Sequence, residues 1–143
     1  MATASALFGV VRAGDLIPAY RLSAGVPLPR LGPVAALCRR KLGPALDELT
    51  DGGLLIDLRS GAYINLHKPS GQLAARTATI RVLSEVDGVR KVVSHFNKST
   101  KGEIVRAICQ NRVVGATTVA LADALRDLGW RIEPDGNRLD VVI

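Results

Sequence analysis

Apolar and polar residues alternate most regularly in two runs on either side of the dipeptide formed by Asp87 and Gly88. Residues 77–86 place Ala78, Ile80 and Val82 on one side of a strand, and residues 89–96 form the return run. Because a two-residue Asp-Gly loop matches the twist of paired strands, this pattern predicts a β-hairpin. A second hairpin is predicted from residues 130–133 to 138–143, with its turn at Asp135 and Gly136.

Helical spacing of apolar residues predicts two helices between these hairpins. Thr100 and Glu103 have the spacing of a capping box, so the first helix is predicted to start there and to cover residues 101–111. The second helix is predicted over residues 118–128 and ends at Gly129. The sequence therefore predicts a C-terminal helix pair.

The first half of the chain alternates less regularly. Residues 14–33 hold four prolines and predict an extended connection. Residues 34–49 have helical spacing, but Pro44 lies inside the run and predicts a kink or a split. Residues 5–11 are predicted to form a buried strand or a tight apolar segment, and residues 54–58 a buried strand. A turn and a short helix are predicted over residues 59–66.

Strands and helices are thus interspersed along the whole chain. This order predicts an α/β fold of the mixed α+β type, in which mostly antiparallel hairpins pack against helices. A length of 143 residues is that of one domain, so residues 1–143 are predicted to form a single domain. The uncharged runs are too short to span a bilayer, and no signal peptide is recognised, so a cytoplasmic protein without a membrane partner is expected.

The net charge of +6 is concentrated in two blocks. Residues 1–46 carry six basic residues and one acid, Asp15, and residues 89–112 carry six basic residues and one acid, Glu103. If the fold brings the blocks together, the resulting surface attracts phosphate backbones. The same composition is also compatible with an ordinary solvated basic surface.

The segment 94–106 combines a predicted helix start with several cations. Lys98, Lys101 and Arg106 lie there with a single acid, Glu103. Unpaired N–H groups and the helix dipole make such a start favourable for phosphate, and Gly102 allows a ligand to come close to the backbone. The alternative is a well-capped helix on a basic protein.

Four ordered segments resemble one known family. The string Val-Val-Ser-His-Phe-Asn-Lys-Ser-Thr-Lys-Gly at residues 92–102 resembles the signature of the YaaA peroxide-stress proteins. Ile-Asp-Leu-Arg-Ser-Gly-Ala-Tyr at 56–63 resembles their second motif, and residues 5–23 resemble their first loop. Ala-Asp-Ala-Leu-Arg-Asp-Leu-Gly-Trp at 122–130 resembles the branch found in high-GC bacteria.

The resemblance departs from the family pattern at the N-terminus. Family members are longer and begin with a segment that contains a Leu-Pro-Pro-Ser-Glu-Gly-Lys-like motif, whereas residues 1–4 lead directly into the middle of the pattern. The chain therefore resembles the C-terminal part of such a protein, from a truncated gene or a mis-assigned start. An exposed apolar patch or an open sheet edge is predicted near residues 5–11 and 54–58.

The resemblance implies protection against hydrogen peroxide. Family members are associated with low unincorporated iron and limited DNA damage, and they have a basic cleft with a helix-hairpin-helix-like element. A non-specific complex with double-stranded or distorted DNA is therefore expected, without a cofactor. Together, the residues and the resemblance give the candidate DNA- or phosphate-binding residues Arg21, Arg59, Lys98, Lys101, Gly102 and Arg106. The candidate stacking, packing or motif residues are Tyr20, Ser60, Tyr63, Ser94, His95, Phe96 and Asn97.

Two other functions remain open from the residues. In an enzyme acting on a phosphate-bearing substrate, His95 would be the general base, and Lys98, Lys101 and Arg59 would stabilise the transition state. A structural histidine is the alternative, and no catalytic residue is assigned. An inactive truncated remnant is the other possibility. No metal site is expected, because the histidines and cysteines lack ligand spacing: His67, His95, Cys38 and Cys109.

Overall fold

The computed structural model describes residues 1–93 and 97–143, which contain five helices and nine strands. The helices are α1 (Val34–Thr50), α2 (Gly61–Ile64), α3 (Gly71–Ala75), α4 (Asn97–Gln110) and α5 (Thr118–Asp127). The strands are β1 (Ala2–Ser5), β2 (Gly9–Arg12), β3 (Pro27–Leu28), β4 (Gly32–Pro33), β5 (Leu55–Asp57), β6 (Thr77–Val86), β7 (Val89–Val92), β8 (Ile132–Asp135) and β9 (Arg138–Val142). The predicted mixture of helices and strands is confirmed.

The described residues form two compact units. The first unit comprises Met1–Gly52 and Arg59–Ser70, and the second comprises Gly53–Leu58 and Gly71–Ile143. The first unit holds eight basic and four acidic residues, and the second holds eleven basic and nine acidic residues. Most basic residues of the chain therefore belong to the second unit, whereas the larger net charge belongs to the first.

The first unit begins with a hairpin in which β1 and β2 pair antiparallel. Of the two alternatives predicted for residues 5–11, a single buried strand is therefore wrong. The Ser5 hydroxyl accepts a hydrogen bond from the Phe8 amide at 2.9 Å, and Gly9 has a φ of 76°, so the chain reverses between the two.

Helix α1 continues without a break past Pro44, so the predicted split is wrong. Gly43, the preceding residue, lies against His67: a Cβ at Gly43 would come within 2.7 Å of the His67 Cε1 atom. The His67 ring therefore packs directly on the helix backbone next to the proline.

A mixed sheet forms the centre of the second unit. Its strands lie in the order β5-β6-β9-β8, and β7 pairs with the end of β6. The β6–β7 and β8–β9 pairs are antiparallel, which confirms both predicted hairpins, but the second turn lies at Gly136 and Asn137, one residue later than predicted. The β5–β6 and β6–β9 pairs are parallel, which the sequence did not predict.

Helices α4 and α5 supply the other side of the core in this unit. The Thr117 hydroxyl caps α5 by accepting a hydrogen bond from the Ala120 amide at 3.1 Å. Fully buried apolar residues of the sheet and the two helices form one cluster, in which the largest are Ile80, Val82, Ile104, Leu121, Leu125, Leu139 and Val141. Burial of this cluster fixes the orientation of α4, the helix that carries the candidate site.

The predicted open sheet edge is confirmed in the described part of the chain. There, β5 pairs with β6 alone, and β1 pairs with β2 alone. The side chains of Leu7 and Phe8, at the tip of the first hairpin, are exposed. Within the same residues, none of the helices has the length and apolar character needed to cross a membrane.

Candidate functional site

Helix α4 begins at Asn97, so the predicted start at a Thr100 capping box is wrong. Thr100 is the fourth residue of the helix and is buried, as is Ile104 one turn later. Burial of this face against the sheet extends the helix by a turn and outweighs the local capping signal. In an α-helix the unpaired N–H groups are those of the first turn, and the Gly102 amide lies beyond it, directed at the Lys98 carbonyl.

One side of α4 presents cations to solvent. Lys98, Gly102 and Arg106 follow each other at intervals of four residues, and all three are exposed. Neither Lys98 nor Arg106 forms an ion pair with any residue that the structure describes, although Glu103 precedes Arg106 by only three positions. We call these two residues the α4 cations. Gly102 between them leaves its Cα, but not its amide, open to a ligand.

Lys101 differs from the α4 cations because it is only partly exposed. Its Nζ atom donates a hydrogen bond to the Leu58 carbonyl at 3.2 Å, just beyond the end of β5. Burial lowers the pKa of the Lys101 amine, and the nearby Asp57 carboxylate opposes this change to a smaller extent. The Asp57 side chain is itself buried. Lys101 is therefore anchored between α4 and β5, and its predicted phosphate contact stays a prediction.

The start of α4 also contains an unpartnered polar atom. Asn97 Oδ1 is buried and has no hydrogen-bond partner among the described residues. The predictions for Ser94, His95 and Phe96 concern residues that lie outside the described part of the chain.

Residues 59–67 contain the second group of candidates, in the first unit. The Arg59 guanidinium donates to the carbonyls of Tyr63 at 3.4 Å and His67 at 3.0 Å, so it braces the loop around α2. Ser60 is exposed and precedes α2 without capping it, and Tyr63 is half-buried. A phosphate contact from Arg59 stays a prediction.

Tyr20 and Arg21 lie in the extended connection of the same unit. The Tyr20 hydroxyl and the Ser5 hydroxyl are 2.6 Å apart, and the Tyr20 ring meets the Phe8 ring edge-on with centroids 5.7 Å apart. Tyr20 therefore packs on the first hairpin, while the Arg21 side chain is exposed. The convergence of the two candidate groups into one basic cleft stays a prediction.

The polar face of the large sheet holds a network of charges that the sequence reasoning missed. Arg81 pairs with Asp140 in two hydrogen bonds of 2.8 and 2.5 Å. Arg90 pairs with Glu133 in two hydrogen bonds of 2.5 and 2.9 Å. Arg138 pairs with both Asp135 and Asp140. The hydrogen bond from Arg81 lowers the pKa of Asp140. Strand register accounts for the pairs of Arg81 with Asp140 and of Arg138 with Asp135. Arg90 and Glu133 lie on strands β7 and β8, which do not pair with each other, so register alone does not reveal their contact.

Across the residues that the structure describes, no group of three or more histidine, cysteine, aspartate or glutamate side chains is placed to hold a metal ion.

Comparison with known proteins gives the family of the chain. The family model described as "Peroxide stress protein YaaA" matches residues 1–135. A UPF0246 protein of Streptomyces coelicolor is 49% identical over 131 residues, which are 92% of this chain and 50% of that protein. A UPF0246 protein of Corynebacterium efficiens is 41% identical over 145 residues, covering 99% of this chain and 57% of that protein. The chain spans about half the length of these relatives. It belongs to the family of the peroxide stress protein YaaA.

Proposed function

We propose that this chain takes part in protection against peroxide stress and that it does so by binding DNA through the phosphate backbone. Membership of the YaaA family supports the first part of the proposal. The observation that carries the second part is the pair of exposed α4 cations, Lys98 and Arg106, which lack an acidic partner among the described residues.

The position of Lys98 supports an anionic ligand. Lys98 lies in the first turn of α4, which contains no acidic residue. A cation there is repelled by the positive end of the helix dipole, which destabilises a helix by about 0.3–1 kcal/mol. A bound phosphate would offset that repulsion by contacting the ammonium group and the unpaired N–H groups of the same turn.

The chemistry of the α4 cations implies little sequence preference. Cations that reach phosphate oxygens fix the position of DNA but do not distinguish one base pair from another. The proposed partner is therefore double-stranded or distorted DNA of any sequence, held by electrostatic contacts that release counterions.

Fluorescence anisotropy with labelled duplexes tests this binding. Two duplexes of unrelated sequence are titrated with the protein at several salt concentrations between about 50 and 200 mM. We expect similar affinities for both sequences. The logarithm of the association constant should fall with the logarithm of the salt concentration, with a slope of about −0.9 for each phosphate contact. Affinity that is unaffected by salt, or confined to one of the two sequences, would contradict the proposal.

The family resemblance extends the proposal to iron: the chain limits DNA damage together with a low level of free intracellular iron. In a bacterium that lacks its own family member, expression of this chain should raise survival after peroxide, and electron paramagnetic resonance of chelated iron should show less free iron. The double variant Lys98→Ala with Arg106→Ala is compared with the unmodified protein at the same expression level. If both raise survival equally, protection does not depend on DNA binding by the α4 cations.

A further inference from the structure

Lys101 has surroundings that differ from those of every other lysine in the chain. The sequence contains five lysines, all of them within the described residues. The side chains of the other four are exposed: Lys41, Lys68, Lys91 and Lys98. Lys101 alone is partly buried, and its Nζ atom is held 3.2 Å from the Leu58 carbonyl.

This environment favours a reactive amine. An ammonium group has no lone pair, so an exposed lysine is a poor nucleophile near neutral pH. Burial lowers the pKa of Lys101, although the negative charge of Asp57 acts in the opposite direction. The lower pKa increases the fraction of neutral amine. Lysines that form imines with carbonyl groups are commonly activated by such desolvation.

The location of Lys101 indicates which carbonyl compound it meets. Lys101 follows Lys98 by three residues on the same helix, so these two side chains are neighbours on the surface of α4, whereas Arg106, five residues later, lies about 140° further round the helix. DNA held by these cations offers one electrophile to an amine: the open-chain aldehyde of a deoxyribose that has lost its base. We propose that Lys101 is an amine nucleophile that forms an imine with the aldehyde of an abasic site. This inference rests on the proposed binding of DNA.

The reaction balances without an oxidant or a reductant. The Nζ lone pair attacks the C1′ aldehyde carbon, and the carbonyl π electrons move to oxygen. Water then leaves with that oxygen and the two amine hydrogens, and a C=N bond remains. A water molecule takes the C2′ proton, the electrons of that C–H bond form the C2′=C3′ double bond, and the 3′ phosphate leaves with the electrons of the C3′–O bond. Hydrolysis of the imine restores Lys101 and releases an unsaturated aldehyde.

Borohydride trapping tests the inference. The protein is mixed with a labelled duplex that carries one abasic site, and borohydride is added at neutral pH. Hydride adds to the imine carbon and produces a stable protein–DNA adduct, visible as a slower band in a denaturing gel. The same duplex without an abasic site should give no adduct.

Two variants make the same chemical change at different lysines. Lys101→Arg retains the positive charge and a donor for the Leu58 carbonyl but is not a nucleophile near neutral pH. We expect Lys101→Arg to lower the yield of adduct by about tenfold or more. Lys91→Arg, at an exposed position of β7, should form as much adduct as the unmodified protein. Circular dichroism melting verifies that both variants are folded.

Mass spectrometry of the adduct formed by the unmodified protein gives a result that does not depend on any variant. We expect the modification on the peptide that contains Lys101. Equal labelling of the exposed lysines, or an undiminished adduct with Lys101→Arg, would overturn the inference. Binding of the abasic duplex in anisotropy without any adduct would overturn it and leave DNA binding intact, whereas absence of binding would overturn both.

Discussion

The arginines of the large sheet and the α4 cations lie in the same compact unit but in opposite electrostatic surroundings. Arg81 shares two hydrogen bonds with the buried Asp140, and its neighbours on the sheet are paired in the same way. Lys98 and Arg106 have no such partner among the described residues. The net charge of the unit therefore overstates the positive potential of the sheet, whereas the α4 cations can attract a polyanion.

The largest expected effect on stability is that of removing Asp140. Asp140→Ala leaves Arg81 and Arg138 without a shared carboxylate next to the core. Since 37% of the Arg81 side chain is exposed, water screens part of the effect, and we expect a loss of about 1–2 kcal/mol of unfolding free energy. Denaturant titration followed by circular dichroism measures it. DNA affinity should be unchanged.

Asp123→Ala is the matched control for Asp140→Ala. Asp123 pairs with Arg126 on the surface of α5, and 61% of its side chain is exposed. Its removal should change the unfolding free energy by less than about 0.5 kcal/mol. If the two substitutions destabilise the protein equally, the network of the sheet is an ordinary set of surface ion pairs, and its contrast with α4 is lost.

The same network predicts a dependence of stability on pH. The hydrogen bond from Arg81 lowers the pKa of Asp140 below its ordinary value of 3.8, and hydrogen bonds from Arg90 and Arg131 lower that of Glu85 below 4.5. Because both pKa values are lower in the folded state, the stabilisation is present above the ordinary values and is lost as the pH falls through the lowered ones. Unfolding measured between about pH 5 and pH 2 should show this loss. With Asp140→Asn, the loss of unfolding free energy at low pH should be smaller. If the dependence on pH in the acid range is unchanged, the pairing of Asp140 with Arg81 does not contribute to it.

A smaller effect is expected at Gly102, between the two α4 cations. Its Cα is exposed and a Cβ would meet no atom within 4 Å, so Gly102→Ala should stabilise the helix by about 1 kcal/mol. Thermal unfolding measures the gain. If only side chains contact the phosphates, DNA affinity stays the same; a marked loss of affinity would instead indicate close approach of DNA to the backbone at this position.

The smallest effect on stability is expected at Lys98. Lys98→Glu replaces a cation at the positive end of the helix dipole by an anion and should stabilise the protein by about 0.5 kcal/mol. The same substitution should abolish most DNA binding, because it places a negative charge where a phosphate is proposed to lie. Lys91→Glu, the same change at an exposed site of β7, controls for net charge. Equal loss of affinity in both variants would show that only overall charge matters.

Local signals in the sequence predicted the hairpins and the helix pair. Asp87 and Gly88 both have positive φ, which is the geometry that an Asp-Gly loop favours between two strands. The same kind of signal failed at Thr100, where burial against the sheet extends α4 past the capping box. Local chemistry specifies a turn of two residues, whereas a helix start also depends on packing against distant residues.

The pairing of strands that are distant in the sequence could not be predicted from local patterns. The parallel neighbours of β6 are β5 and β9, and no local motif links segments so far apart in the chain. The ion pairs of the sheet depend on the same distant pairing, because Arg81 and Asp140 face each other only in the register in which β6 and β9 pair. The exposed lysine and arginine of α4 were predicted as candidates, but the contrast that distinguishes them from the sheet arginines required the structure.

The salt dependence of DNA affinity in two double variants tests the central claim most directly. Lys98→Ala with Arg106→Ala removes the α4 cations, and Arg90→Ala with Arg131→Ala removes two arginines that are paired with Glu85 and Glu133; the change in net charge is identical. We predict that the α4 double variant lowers DNA affinity by about tenfold or more and makes the slope of affinity against salt shallower by about two. The sheet double variant should keep a slope close to that of the unmodified protein. Equal slopes in the two double variants would contradict the account.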